Sequence, residues 1–299
     1  MLFKPLKSID YNSVKGSLIR KLIKHDITVY ASHTNLDVAE GGVNDLLSDA
    51  LELENVKPLL TTHIEPLIKL AVFTPVDYVQ QVVDALSEAG AGHIGNYSHC
   101  TFQSAGTGTF KPLEGANPYI GSTNKLEHVD ELKIETIVPE PIIDKVVNAM
   151  LAAHPYEEVA YDLYPLKNKG KTYGIGRVGL LSQTMKLEQL IHKVKKQLNV
   201  NHLRFTGNLT KEVKRVAILG GSGEKFIEAA KNANCDVYIT GDITFHHAQD
   251  AKELNIALID AGHYIEQIMK EATKQYIENK FPTLKVIVSK VNTDPFQFL

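Results

Sequence analysis

The chain has 299 residues, a formal charge of −3 and two cysteines. That length suits two domains, each large enough to bury a core. The near balance of charge argues against nucleic acid or an anionic membrane surface as a partner. Cys100 and Cys235 have no pair spacing, which excludes a disulfide framework or a cysteine-ligated zinc site and fits a reducing, cytoplasmic setting. No apolar run reaches the length of a membrane span, and the start has no signal-peptide core.

In chain order, Tyr11 to Lys24 has helical spacing, with Val14, Leu18, Leu22 and Ile23 in one stripe. A strand is predicted over Ile27 to Ala31, running into the polar cluster Ser32-His33-Thr34-Asn35-Leu36-Asp37 and then a helix from Val43 to Leu51. Residues 69–166 differ in style. Strands at Leu70 to Phe73, Leu132 to Val138 and Val159 to Tyr164 alternate with helices at Val76 to Ala89 and Pro141 to Ala153. The glycine-rich stretch from His93 to Gly121 reads as further strands joined by turns. Two strand-helix-strand units in succession predict a ferredoxin-like α+β module. The expected fold is therefore α/β: a discontinuous domain over residues 1–68 and 167–299, with this module inserted at 69–166.

The second half alternates strands and helices. Strands are predicted at Gly174 to Leu181, Leu203 to Thr206, Val216 to Leu219, Asp236 to Thr240, Ile256 to Ile259 and Leu284 to Ser289, with a helix at Leu187 to Gln197. Gly220-Gly221-Ser222-Gly223 reads as a tight turn in preference to a phosphate cradle, because it lacks the lysine and spacing of a nucleotide loop. Asp242 is the expected cap of the helix carrying His246 and His247, which point to different faces.

Chemistry concentrates on three expected strand ends: His33 with Asp37, Asp242 with His246 or His247, and His263 with Glu266. If the helix after Asp260 starts near Gly262, His263 and Glu266 share a face at i and i+3. Imidazole plus carboxylate suits a borderline divalent cation. A solvated helix start, with Asp260 capping and Glu266 near the positive end of the dipole, is the alternative. Parallel neighbouring strands would bring the three ends to one edge. There, carboxylates from two ends could bridge a pair of cations, which favours the metal reading. His33 and His247 are the candidate proton carriers, and so the candidate catalytic residues.

The strings Ser32-His-Thr-Asn-Leu-Asp37, Thr240-Gly-Asp-Ile-Thr-Phe-His-His-Ala248, Asp260-Ala-Gly-His-Tyr-Ile-Glu266 and Asn292-Thr-Asp-Pro-Phe296 resemble, in order, those of the GTP cyclohydrolase 1 type 2 homologs, or Nif-three-like proteins. The resemblance implies a dinuclear metal centre with Asp37, His263 and Glu266 as ligands. Two divalent ions per subunit follow, zinc first and iron or manganese next. It makes His33, Asn35, Asp242, His246 and His247 pocket residues. It also implies a ring-like homohexamer around an internal cavity, and His154-Pro-Tyr-Glu-Glu158 with Tyr161-Asp162 resembles the closing segment of the trimeric signalling-type insert.

Family members carry a His-His-Pro string ahead of the segment matched here by Leu2-Phe3-Lys4-Pro5-Leu6. The expectation for this chain is thus an incomplete ligand set, weaker metal binding and some uncovered apolar surface. Two functions remain open: a metal-dependent hydrolase of a small phosphorylated or nucleotide-like substrate, or a non-catalytic metal-binding ring that senses a ligand, scaffolds or carries metal.

Overall fold

The structure is a computed structural model, and it describes residues 6–298. Residues 2–5 of the opening match lie outside it. The chain forms two compact units, Met1–Leu60 with Gly174–Leu299, and Thr61–Tyr173.

The first unit begins with α1 (Val14–Lys24), α2 (Thr34–Val38), α3 (Val43–Ala50) and β1 (Glu54–Ile64). The second unit supplies β2 (Leu67–Pro75), α4 (Val79–Glu88), β3 (Thr101–Phe110), β4 (Glu127–Pro139), α5 (Ile143–Ala153) and β5 (Tyr161–Leu166). The chain then returns through β6 (Thr172–Lys186), α6 (Leu187–Gln197), β7 (Arg204–Thr206), β8 (Glu212–Ser222) and α7 (Ile227–Asn232). It finishes with β9 (Val237–Gly241), α8 (Phe245–Glu253), β10 (Ala257–Asp260) and α9 (Met269–Lys280).

In the first unit a six-stranded sheet has the order β1-β6-β8-β9-β10-β7. Its centre, β8-β9-β10, is parallel, and β6 and β7 flank that centre antiparallel. Parallel strands must be covered on both faces, and the sequence alternates to allow it. Val216, Ile218, Ile239 and Ile259 pack with Leu47 of α3 and Leu190 and Val194 of α6. Ala217, Leu219, Tyr238 and Leu258 face the opposite way, toward Ile227 and Ala230 of α7 and Ala251 of α8. Right-handed β-helix-β crossovers thus deliver the carboxyl ends of β8, β9 and β10 to one edge.

The second unit is a four-stranded antiparallel sheet, β3-β4-β2-β5. This is the ferredoxin-like order. Both helices cover one face, where Leu70 and Val72 of β2 and Ile134 and Val138 of β4 meet Val82 and Leu86 of α4 and Val146 and Met150 of α5.

Two expectations are corrected, and one strand was not expected. Ile27 to Ala31 is not a strand: Val29 is 62% exposed and Tyr30 85%, and without burial a β-branched run has nothing to pack on. Leu284 to Ser289 likewise carries no strand, and Ile287 is 77% exposed. Conversely, Glu54 to Ile64 is a strand that its mostly polar, Pro58-containing sequence disguised, sitting at the sheet edge where proline is tolerated. The exposed stripe of α1, with Val14 at 90% and Ile23 at 66%, is apolar surface that the described residues do not cover.

Candidate functional site

Three loops build the site at the carboxyl edge of β8, β9 and β10. After β10, Gly262 takes φ +79° and starts a 3₁₀ turn, His263–Ile268, in place of the expected α-helix. With three residues per turn, side chains at i and i+3 eclipse, and His263 Nε2 lies 3.5 Å from Glu266 Oε2. After β9, Asp242 sits at φ +57° and does not cap α8, whose N-cap is Thr244. That backbone leaves the Asp242 carboxylate 2.7 Å from His263 Nδ1. Asp260 fixes both loops from below, since its carboxylate accepts from Gly262 N at 3.1 Å and Ile243 N at 3.3 Å and also pairs with Arg204.

The glycine string after β8 is neither a turn nor a cradle. The strand continues through Ser222, and Gly221, at φ +67°, lies under the carboxylate of Glu266. A Cβ there would stand 2.5 Å from Glu266 Oε1.

His33 and Asp37 come from α2, not from a strand end. His33 is the N-cap, and its amide is held by Asn35 Oδ1 at 2.8 Å, so Asn35 shapes the loop. Fully buried Asn44 ties this segment to the sheet, accepting from Gly220 N and donating to the Asp37 carbonyl, each at 2.9 Å. No local signal in the sequence marks Asn44, because its role exists only once α3 packs on β8.

The electrostatics show which groups share the site. Burial raises the Asp37 carboxyl above its ordinary value, opposed by His33 and His263. Burial also raises Glu266, which feels His263, Asp37, His33 and Asp242. The bond to Asp242 raises His263, assisted by Glu266 and Asp37. Five of the expected residues, His33, Asp37, Asp242, His263 and Glu266, therefore act on one another. His246 and His247 find partners elsewhere: His247 Nδ1 is 2.6 Å from Thr244 Oγ1 and 3.1 Å from Glu224 Oε2, and His246 lies 3.4 Å from Gln249.

In kind, one imidazole nitrogen and two desolvated carboxylates fit a divalent cation. In placement, no three His, Cys, Asp or Glu side chains among the described residues are gathered tightly enough to hold an ion as they stand.

Fold and site define a covered α/β sheet with a ferredoxin-like insertion and an imidazole-carboxylate cluster at its carboxyl edge. A family model described as Duf34/NIF3 (NGG1p interacting factor 3) matches residues 1–295, and the chain belongs to that family. A Halalkalibacterium halodurans protein named GTP cyclohydrolase 1 type 2 homolog is 50% identical over 304 residues, covering 100% of this chain and 82% of the relative. A Bacillus subtilis protein of the same name is 50% identical, covering 100% and 81%. Among solved structures, a Bacillus cereus protein related to NIF3 superposes with a TM-score of 0.92 at 48% identity, covering 100% of this chain and 81% of that one. A Staphylococcus aureus protein follows at 0.72 and 34%, covering 100% and 80%. Among the described residues no helix is long and apolar enough to cross a membrane.

Proposed function

We propose that the cluster around His263 holds divalent metal, zinc first and iron or manganese next, and serves hydrolysis of a small phosphorylated or nucleotide-like substrate. One observation carries the reading: burial raises the proton affinity of both Asp37 and Glu266, two half-buried carboxylates, Asp37 raises Glu266 further, and only the two imidazoles offset this. Paired desolvated carboxylates are stabilised by a cation. Asp37, Glu266 and His263 Nε2 would be donors to a centre of two ions. Bound metal supplies Lewis acidity and an activated water at neutral pH.

The chain's own residues do the rest. Asp242 fixes the His263 ring through Nδ1, directing Nε2 toward Glu266. Asp260 and Asn44 hold the loops that present these groups. His33, within the field of both carboxylates, is placed to carry a proton. The exposed stripe of α1 supports self-association into the ring that the family resemblance implies.

The test is metal analysis of protein purified without chelator, followed by turnover assays on phosphoesters and on GTP, the nucleotide in the relatives' name. Stoichiometric metal and turnover lost in both Asp37→Ala and Glu266→Ala are expected. Turnover that survives both substitutions, or protein without metal, overturns the reading.

A further inference from the structure

The inserted unit has a second feature, unconnected to the metal proposal. Its helices cover one face of the sheet, and the register puts Phe73 opposite Lys133 and Gly106 opposite Glu131 on the other. Over that second face lies a cavity of about 650 Å³, within the range that takes a small organic molecule.

Two glycines on β3 open it. A Cβ on Gly106 would meet nothing within 4 Å, so that residue borders empty space. A Cβ on Gly108 would fall 2.2 Å from Glu131 Oε2, so glycine is what lets the Glu131 side chain lie across the strand. The walls are aromatic: the Tyr156 ring stands 5.8 Å from Phe110 and 6.4 Å from Tyr119. The covering segment is pinned at two points, with Tyr119 and Tyr78 hydroxyls 2.7 Å apart and Asn117 N donating to Glu157 Oε1 at 2.8 Å. The cavity is thus shaped before anything enters.

Glu131 is 8% exposed and, among the described residues, accepts one side-chain bond, 3.0 Å, from the Tyr156 hydroxyl. Burial and this carboxylate raise the Tyr156 phenol above its usual value, so it stays a donor. His154 holds Tyr156 in place, with Nδ1 accepting from Tyr156 N at 3.1 Å and Nε2 donating to the Phe73 carbonyl at 3.0 Å. The nearby cation Lys133 pairs with Glu135 at 3.3 Å. A buried carboxylate with a single neutral donor is under-compensated, and aromatic walls favour a cation beside them.

We infer that the cavity binds a small amphipathic amine, its aromatic or apolar body among Phe110, Tyr119 and Tyr156 and its protonated nitrogen on Glu131. The carboxylate fixes the sign of the ligand's charge, and the empty space at Gly106 takes its body.

The chain has no tryptophan, so an indole probe can be read directly by its own fluorescence. Full-length protein is titrated with tryptamine and, separately, with the anionic isostere indole-3-propionate. Saturable tryptamine binding at least about tenfold tighter than the anion is expected from one buried ion pair. Gly106→Leu, whose Cβ enters open space and whose side chain extends into the cavity, should abolish it. Glu131→Gln should erase the preference, and circular dichroism melts check that both variants fold. Absence of saturable tryptamine binding, equal binding of amine and acid, or undiminished binding in folded Gly106→Leu overturns the inference.

Discussion

Asn44 and Gly220 are joined by a 2.9 Å hydrogen bond from the glycine amide to the asparagine Oδ1, and the other end of the same side chain donates to the Asp37 carbonyl. One buried amide therefore couples the segment carrying Asp37 to the strand end beneath Glu266. Asn44→Ala strands the Gly220 amide and should cost about 2 kcal/mol, read by urea denaturation. Asn44→Asp keeps the acceptor, loses the donor to the Asp37 carbonyl and puts a carboxyl oxygen against it. It is expected to weaken zinc binding more than its stability loss accounts for, as measured by calorimetric titration at a temperature where both proteins are folded.

Gly221→Ala tests the close approach under Glu266. At φ +67° a side chain is strained, and its Cβ would displace the carboxylate. Stability should fall by roughly 1–2 kcal/mol, and zinc affinity by at least about tenfold. A variant with unchanged affinity would show that Glu266 is not a donor.

Asp37→Asn removes one of the two carboxylates whose proton affinity burial raises. Because burial disfavours the charged form of Asp37, the fold is penalised when that group ionises, and neutralising it relieves the penalty. Expected in thermal shift experiments are a melting temperature without zinc that equals or exceeds the parent's, and loss of the zinc-induced rise. A variant that melts much lower and still responds to zinc would contradict both.

His154 predicts a pH dependence of the inserted unit. Burial lowers its pKa below the ordinary 6.5. Above 6.5 the imidazole is neutral folded or unfolded and contributes no slope. As pH falls through that value, the unfolded chain takes a proton that the folded one refuses, so stability declines until the folded pKa is passed. His154→Gln retains a donor for the Phe73 carbonyl and should show a flatter melting profile between about pH 7.5 and about pH 5.5. Parallel profiles would assign the acid sensitivity to other groups.

Arg177 and Asp45 form the buried staple of the first unit. The guanidinium pairs with Asp45 and donates to the Gly174 and Gly176 carbonyls at 2.9 Å, while Asp45 also accepts from Gly41 N at 2.8 Å. Asp45→Ala leaves a buried cation short of its partner and should cost about 3 kcal/mol, part of which the double variant with Arg177→Met recovers. Denaturant midpoints of the single and double variants measure it.

Much of this was legible in the residues. The alternation of Leu70 with Val72 and Ile134 with Val138 announced the inserted sheet, and the strings ending β9 and β10 announced Asp242, His263 and Glu266. What escaped depends on tertiary partners. Ile27 to Ala31 and Leu284 to Ser289 have strand composition but no buried face, whereas β1 is a strand by virtue of its neighbour β6. Asp37 was expected at a strand end and stands on a short helix, because Asn44 rather than strand geometry positions it. Gly221 read as turn chemistry, since nothing nearby in the chain shows that a carboxylate 45 positions on, Glu266, would lie against it.

The strands β1 and β6 are neighbours in the larger sheet, and just beyond them the Glu65 amide meets the Lys171 carbonyl at 2.8 Å. The insertion therefore leaves and rejoins its host at one point. To the host it behaves as an elongated hairpin loop, and the entropy of closing such a loop rises only with the logarithm of its length. Lengthening, exchanging or trimming the insert changes little in the host's closure cost, so this junction is a place where the gene can accept recombination without redesign of the sheet.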